Sequence, residues 1–351
     1  MDFTLKTYRQ LLQSLQNAGF SFITFSEYIE SEKLKTKSEK FNETNKPSPS
    51  DFKLRASSSY TPNPSRFIIL RHDVDLLPEN SLTFARIQHE MGIKGSYYFR
   101  AVPESWDEAI IKEIHALGHE VGYHYEDVDL VKSEKLEDGR TKTEDGRPMT
   151  EDGRLNESRI QQINEPLIDA AIISFQHNLE KLRQLVPVKT ICMHGSPRSK
   201  YDNRDLWKKY NYRDFGIIGE PYFDMDFDDV FYLTDTGRRW DGWKVSVRDK
   251  VPQQERWIAE GLVFGSTNDI IASLQTAKFA REDRKERESF ANLASPSRPL
   301  RLKNYPTAIP PRIMFTFHPQ RWSYKPVPWL KELVVQNVKN MVKGFMVKLN
   351  S

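Results

Sequence analysis

The chain has 351 residues, 38% hydrophobic and 12% aromatic, enough for a sizeable core in one large domain or two small ones. Its 52 basic and 49 acidic residues leave a formal net charge of +3, which gives no basic patch of the kind a nucleic-acid binder shows. The single cysteine, Cys192, excludes an intramolecular disulfide. No window approaches the roughly 20 apolar residues of a membrane span, and the polar N-terminus has no signal-peptide core, so a soluble cytoplasmic protein is expected.

Residues 4–17 carry Leu5, Leu11, Leu12 and Leu15 near helical spacing, and Gly19 is placed to stop that helix. Residues 1–30 are therefore read as a helix and a strand packed on the main body. Residues 31–65, rich in Ser, Lys and Pro and poor in large apolar residues, read as a flexible excursion. From FIIL (67–70) onwards, strand-like runs alternate with helical patterns. The strands are expected at 95–99, 119–124, 188–193, 215–219, 230–234, 243–247 and 312–317, and the helices at 79–91, 105–117, 165–186 and 202–210. Such alternation implies a parallel sheet with helices outside it. Cys192, inside KTICM, reads as a small core residue.

Residues 137–157 repeat with a period of seven (EDGRTKT, EDGRPMT, EDGRLNE) but have no apolar seam, which excludes a coiled coil. They read as an expanded solvent-exposed loop within an insertion at 133–158, and a charged insertion follows at 276–306. Setting these segments and 31–65 aside leaves about 260 residues, close to the ~250 of a single barrel domain. The main body is thus 66–326. Residues 327–351 form an amphipathic helix with Leu330, Leu333, Val334, Met341, Val342 and Phe345 on one stripe. Two roles stand open for it: a closing helix packed on the barrel, or a lipid-surface helix making weak contact with the anionic inner membrane face.

The chemistry-bearing residues fall at predicted strand ends. RHDVD (71–75) follows FIIL, and the period of a strand puts Asp73 and Asp75 on one face if the strand continues. GHEVGYHYEDVD (118–129) places His124 at the end of a strand, with His119 on its opposite face and therefore structural. MHGSP supplies His194, LTDTGRRWDGW supplies Asp235 and Asp241, and TFHPQRW supplies His318. In parallel α/β barrels the C-terminal edge of the sheet carries the active site. Carboxylate and imidazole suit zinc and similar cations. The set therefore reads as a metal hydrolase site.

RHDVD, GHEVGYH and a late strand ending in His318 resemble the NodB-homology polysaccharide deacetylases, the carbohydrate esterase four superfamily. The resemblance covers residues 66 to about 323 without the insertions. It is nearest to a divergent branch among surface-polysaccharide gene products with HDVD, GxHY and HPxxW motifs. It implies a distorted (β/α)7 TIM-like barrel and a divalent metal, zinc by preference. It further implies that Asp73 is the general base, Asp75 and His124 are metal ligands, and His318 is the general acid. Asp241, beside Trp240 or Trp243, corresponds to the residue that orients the acid. The family's usual Asp pair is adjacent, whereas Val74 separates the two here. Its second metal His would fall at Val128, so the third ligand must be His194, Asp127 or Asp129; His194 is favoured because it restores an Asp-His-His set. The implied activity is metal-dependent removal of an N- or O-linked acetyl group from a carbohydrate substrate, a cell-surface polysaccharide or its precursor. The rival expectations are an amidase acting on a small non-sugar compound and a non-catalytic glycan-binding protein.

Overall fold

A computed structural model describes residues 2–44, 64–137, 157–195, 201–241, 251–276, 309–323, 327, 329–337 and 341. In chain order these form α1 (Leu5–Asn17), β1 (Ser21–Ile23), α2 (Phe25–Thr44), β2 (Phe67–Val74), α3 (Pro78–Glu90), β3 (Ser96–Phe99), α4 (Glu108–Ala116) and β4 (Glu120–Tyr125). Then come α5 (Asp127–Glu137), α6 (Glu157–Arg183), β5 (Ile191–Met193), α7 (Leu206–Lys209), α8 (Pro221–Asp224), β6 (Phe231–Thr234), α9 (Gln254–Ala259) and β7 (Arg312–Phe317). Residues 267–276 and 329–337 are also helical.

All strand pairs are parallel, in the order β5-β4-β3-β2-β7-β6. The short β1 lies beside the first half of β2, pairing Ser21 with Phe67 and Ile23 with Ile69, and β3 takes over the same edge from Arg71 to Val74. The sheet curls into a half-barrel, an α/β arrangement compatible with a TIM-like fold; β5 and β6 are its edges, and the closed seven-fold ring is not what the described strands form.

β2 is buried along its whole length, which explains the uninterrupted apolar run FIIL. Its two faces have different tasks. Arg71 and Asp73 share one face, while His72 sits against the helix layer. There the His72 ring stacks on Tyr97, with centroids 4.0 Å apart, and its Nδ1 lies 3.1 Å from the Ser96 carbonyl. Gln88 of α3 uses its entire amide here. Its Nε2 donates to His72 Nε2 (2.8 Å) and to the Tyr8 hydroxyl of α1, and its Oε1 accepts from Tyr97. α1 is held in the same layer by buried Leu11, Leu12 and Leu15, each contributing roughly 1.5–3 kcal/mol. Its N-terminus is capped by Thr4, and it ends before Gly19 at φ 78°, as the sequence leads one to expect. His119 is structural too: its Nδ1 accepts from the Gly95 amide and its Nε2 faces the Ala85 carbonyl.

Four expectations need correction. Helix α2 continues through Thr44, well into the segment 31–65, because a Lys- and Glu-rich run forms a solvated helix as readily as a loop. Residues 215–219 are not a strand: a tight turn over Tyr212–Phe215 is closed by left-handed Gly216, leaving one parallel bridge, Thr190 to Gly219. The strand expected at 188–193 is only Ile191–Met193. The C-terminal helix exposes Leu330, Val334 and Met341 of its expected stripe and half-buries Leu333, while Val342 and Phe345 lie outside the described residues. It is attached through Trp329, whose Nε1 donates to the Asp2 carbonyl (2.8 Å) and whose own carbonyl accepts from Arg238 (2.8 Å), and through buried Gln336. The strand expected at 243–247, residues 138–156 of the repeat and most of 276–306 lie outside the described residues.

The Gln88 network generates a stability prediction. Gln88→Leu strips His72 Nε2 and the Tyr97 hydroxyl of their partners at about 1–3 kcal/mol each, so a loss of at least about 2 kcal/mol is expected in chemical denaturation. Burial lowers the pKa of His72 to about 3, below its ordinary value near 6.5. The unfolded chain therefore binds the proton first, and stability should decline as pH falls from about 6.5 towards 3. A denaturation midpoint that is flat over that range would refute this.

Candidate metal centre

β2, β4, β5, β6 and β7 end at the same edge of the sheet, and the residue at or just past each end carries the chemistry. Asp75 follows β2, His124 is near the end of β4, His194 follows β5, Asp235 follows β6 and His318 follows β7. Parallel pairing with near-level register is what brings these distant sequence positions together.

Three ligand atoms converge. His194 Nδ1 lies 3.2 Å from Asp75 Oδ1 and 3.3 Å from His124 Nε2, and His124 Nε2 lies 3.5 Å from Asp75 Oδ1. Ligands at 2.0–2.2 Å from a tetrahedral centre are separated by roughly 3.3–3.6 Å, so the triangle has the size that a zinc-like ion requires. Asp75 Oδ1 is buried and accepts no well-formed hydrogen bond, an orphaned oxygen that a cation would satisfy. His124 directs its other nitrogen, Nδ1, at the Cys192 carbonyl (2.9 Å), the outer contact that orients a metal-ligating imidazole. Burial opposes ionisation of Asp75, yet the neighbouring His194, His124 and His318 hold its carboxyl well below the usual range. His194 moves the other way: burial works against its charge, but Asp75 and Glu126 raise its pKa. The donor set therefore fits a divalent cation.

A second group, Asp73, His124 and Cys192, is also close enough to share an ion. It fits less well. Both Asp73 oxygens are taken by Arg71, at 2.8 and 2.6 Å, and the guanidinium charge repels a cation there. Burial penalises the Asp73 carboxylate, and Arg71, His124 and His318 together more than offset this, lowering its pKa. Asp73 nevertheless flanks the first group, with Oδ2 at 3.8 Å from His124 Nε2.

On the opposite side, His318 Nε2 lies 3.9 Å from Asp75 Oδ2. Its Nδ1 contacts Asp235 Oδ1 at 2.6 Å. Asp235 is fully buried and also accepts from the His318 amide, Trp322 Nε1 and Arg321. The orienting carboxylate is thus Asp235. Asp241, expected in that place, accepts from Nε and Nη2 of Arg239, and Trp240 donates to Thr267. Trp243 lies outside the described residues. A tight turn over Pro319–Arg321 brings the rest of HPQRW into use, with Gln320 Nε2 donating to Asp75 Oδ2 at 3.0 Å.

The other candidate third ligands are occupied elsewhere. Asp127 accepts from Ser174, Asn178 and Tyr123, and burial raises its pKa to about 6. Asp129 accepts from Asn203, which also caps α5 and holds the His194 carbonyl. Val128 is buried, so no ligand replaces it there. Arg100 binds both Glu126 oxygens and the Asp75 carbonyl, joining the ends of β2, β3 and β4 behind the ligands. Arg71, Arg100 and Gln320 were not singled out from the sequence, although Arg71 and Gln320 stand inside the quoted motifs.

No family model, curated protein or solved structure matches this chain. The site must be judged on its own geometry.

Asp75→Ala, His124→Ala and His194→Ala are each expected to lower zinc content after metal loading and dialysis, measured by elemental analysis, while Asp241→Ala retains it. Parental metal content in all three would dismiss this centre.

Proposed function

We propose that the protein is a metal-dependent hydrolase that removes an acetyl group from a sugar of a cell-surface polysaccharide or its precursor. The observation that carries the reading is the triangle of Asp75, His124 and His194, flanked by a buried carboxylate, Asp73, on one side and a carboxylate-oriented imidazole, His318, on the other. The motifs RHDVD, GHEVGYH and HPQRW, through their resemblance to polysaccharide deacetylases, narrow the chemistry to deacetylation.

Asp75, His124 and His194 would hold a divalent ion, zinc by its preference for nitrogen and oxygen donors, which would supply Lewis acidity and make a water easier to deprotonate. Asp73, kept ionised by Arg71, accepts the proton of the attacking water. An ionised carboxylate has about four acceptor positions, so two bonds to Arg71 leave room for that water. Asp235 accepts the Nδ1 proton of His318, which leaves Nε2 facing the site to deliver a proton to the departing amine or alkoxide. Arg321 and Trp322 anchor Asp235 in turn and fix the tilt of the ring.

Acetate release from N- and O-acetylated oligosaccharides tests the reading. Asp73→Asn and His318→Ala should each reduce kcat at least ~100-fold with fold and bound metal retained. Activity within a few-fold of the parent would remove that residue from the mechanism, and no acetate from either substrate class would remove the proposal.

A further inference from the structure

An imidazole that gives one lone pair to a cation carries its proton on the other nitrogen, and a buried N–H needs an acceptor. His124 has the Cys192 carbonyl in that place. His194 is turned the other way round. Its Nδ1 faces Asp75 and His124, so Nε2 is its far nitrogen. The backbone fixes this reversal: the His194 amide donates to the Tyr125 carbonyl, and its own carbonyl accepts from Asn203. What Nε2 meets is Glu126, whose Oε2 is 3.8 Å away. His194, at 17% exposure of its side chain, is the least buried of the three ligands, and a turn of its ring closes that gap.

Glu126 is held from both ends. Its carbonyl accepts from the Asp129 and Leu130 amides and so starts α5. Its buried carboxylate accepts from Arg100 Nε on one oxygen (2.6 Å) and from Nη2 on the other (2.8 Å). An ionised carboxylate has about four acceptor positions, so Oε2 can still take the His194 proton. The remaining nitrogen of Arg100, Nη1, donates to the carbonyl of Asp75 at 3.0 Å. The same loop grips the exit of β2 twice more. Ser105 donates to the Val74 carbonyl, and Glu104 accepts from the Leu77 amide through its carbonyl. β3 supplies no ligand to the centre, yet the loop that follows it fixes the backbone on both sides of Asp75 and the carboxylate that faces His194.

We propose that Glu126 is the outer partner of His194, locked in place by Arg100, and that this pair sets how tightly the centre holds its cation. Both are positioning residues that act through His194 and Asp75. The proposal rests on the reading of Asp75, His124 and His194 as ligands and is independent of the acetyl chemistry.

The test is the zinc dissociation constant of the full chain, measured by competition with a chromogenic chelator. Glu126→Gln should raise it about 10–100-fold. Arg100→Lys keeps the charge but cannot span both Glu126 oxygens and the Asp75 carbonyl, so it should raise the constant at least about threefold. Glu113→Gln, which breaks the exposed pair with Arg86, should bind zinc like the parent. The melting temperature in excess chelator separates a purely structural role, which lowers that temperature and leaves the zinc constant alone. Should Glu126→Gln not fold, Glu126→Asp carries the same test, because its shorter carboxylate stays charged but withdraws from Nε2. A zinc constant within about twofold of the parent in the Glu126 variant overturns the proposal. Parental affinity in Arg100→Lys overturns the lock. If the parent binds no zinc, or His194→Ala binds it as the parent does, the centre itself falls and the proposal with it.

Discussion

Four carboxylates, from Asp73, Asp75, Glu126 and Asp235, crowd one edge of the sheet with their side chains at most 15% exposed. Unpaired, such a concentration of negative charge would not stay ionised in so little water. Three of the four have a guanidinium of their own: Arg71 for Asp73, Arg100 for Glu126 and Arg321 for Asp235. Asp75 has none among the described residues. One of its oxygens receives the Gln320 amide, and the other faces two imidazoles. The distribution of arginines thus marks where positive charge is built in and where it is left to be supplied, and the rest of the site is arranged around that difference.

The parts of the fold that were legible in the sequence are those whose chemistry is uniform along the element. β2, β3, β4 and β7 are buried over nearly their whole length, so their apolar runs announce them. α1 announces itself by its leucine spacing and by the stop at Gly19. Where burial is uneven the pattern fails. FGIIG (215–219) has the composition of a strand, but Gly216 takes a left-handed turn and Gly219 lies against Ile29, where a side chain would not fit. α2 is exposed from Lys33 to Thr36, and composition alone does not separate a solvated helix from a loop.

The site was legible to the extent that it follows strand ends. Asp75, His124, His194 and His318 all sit at or just past such ends, and the structure gathers them. The choice between Asp235 and Asp241 turned on the same rule. β6 ends at Thr234, so the next residue stands at the edge of the sheet, whereas six residues later the chain has turned away through Gly237 and Arg238, both at positive φ. Proximity to a tryptophan pointed to Asp241, but the tryptophan that touches the orienting carboxylate is Trp322, from another strand's exit. The pairing of Arg71 with Asp73, two residues along β2, follows the period of a strand, whereas the role of Arg100 depends on cross-strand distances that no single-chain periodicity encodes.

The shared edge of β2 has a consequence of its own. β1 and β3 meet the same side of that strand, one after the other, so the sheet is stitched there by segments from both ends of a long stretch of chain. The first two dozen residues are therefore wall, not ornament. A barrel begun at Phe67 would leave the backbone groups that β2 turns towards β1, on the edge where the Arg66 carbonyl accepts from the Ser21 amide, without their strand partners, an open seam directly below the chemistry.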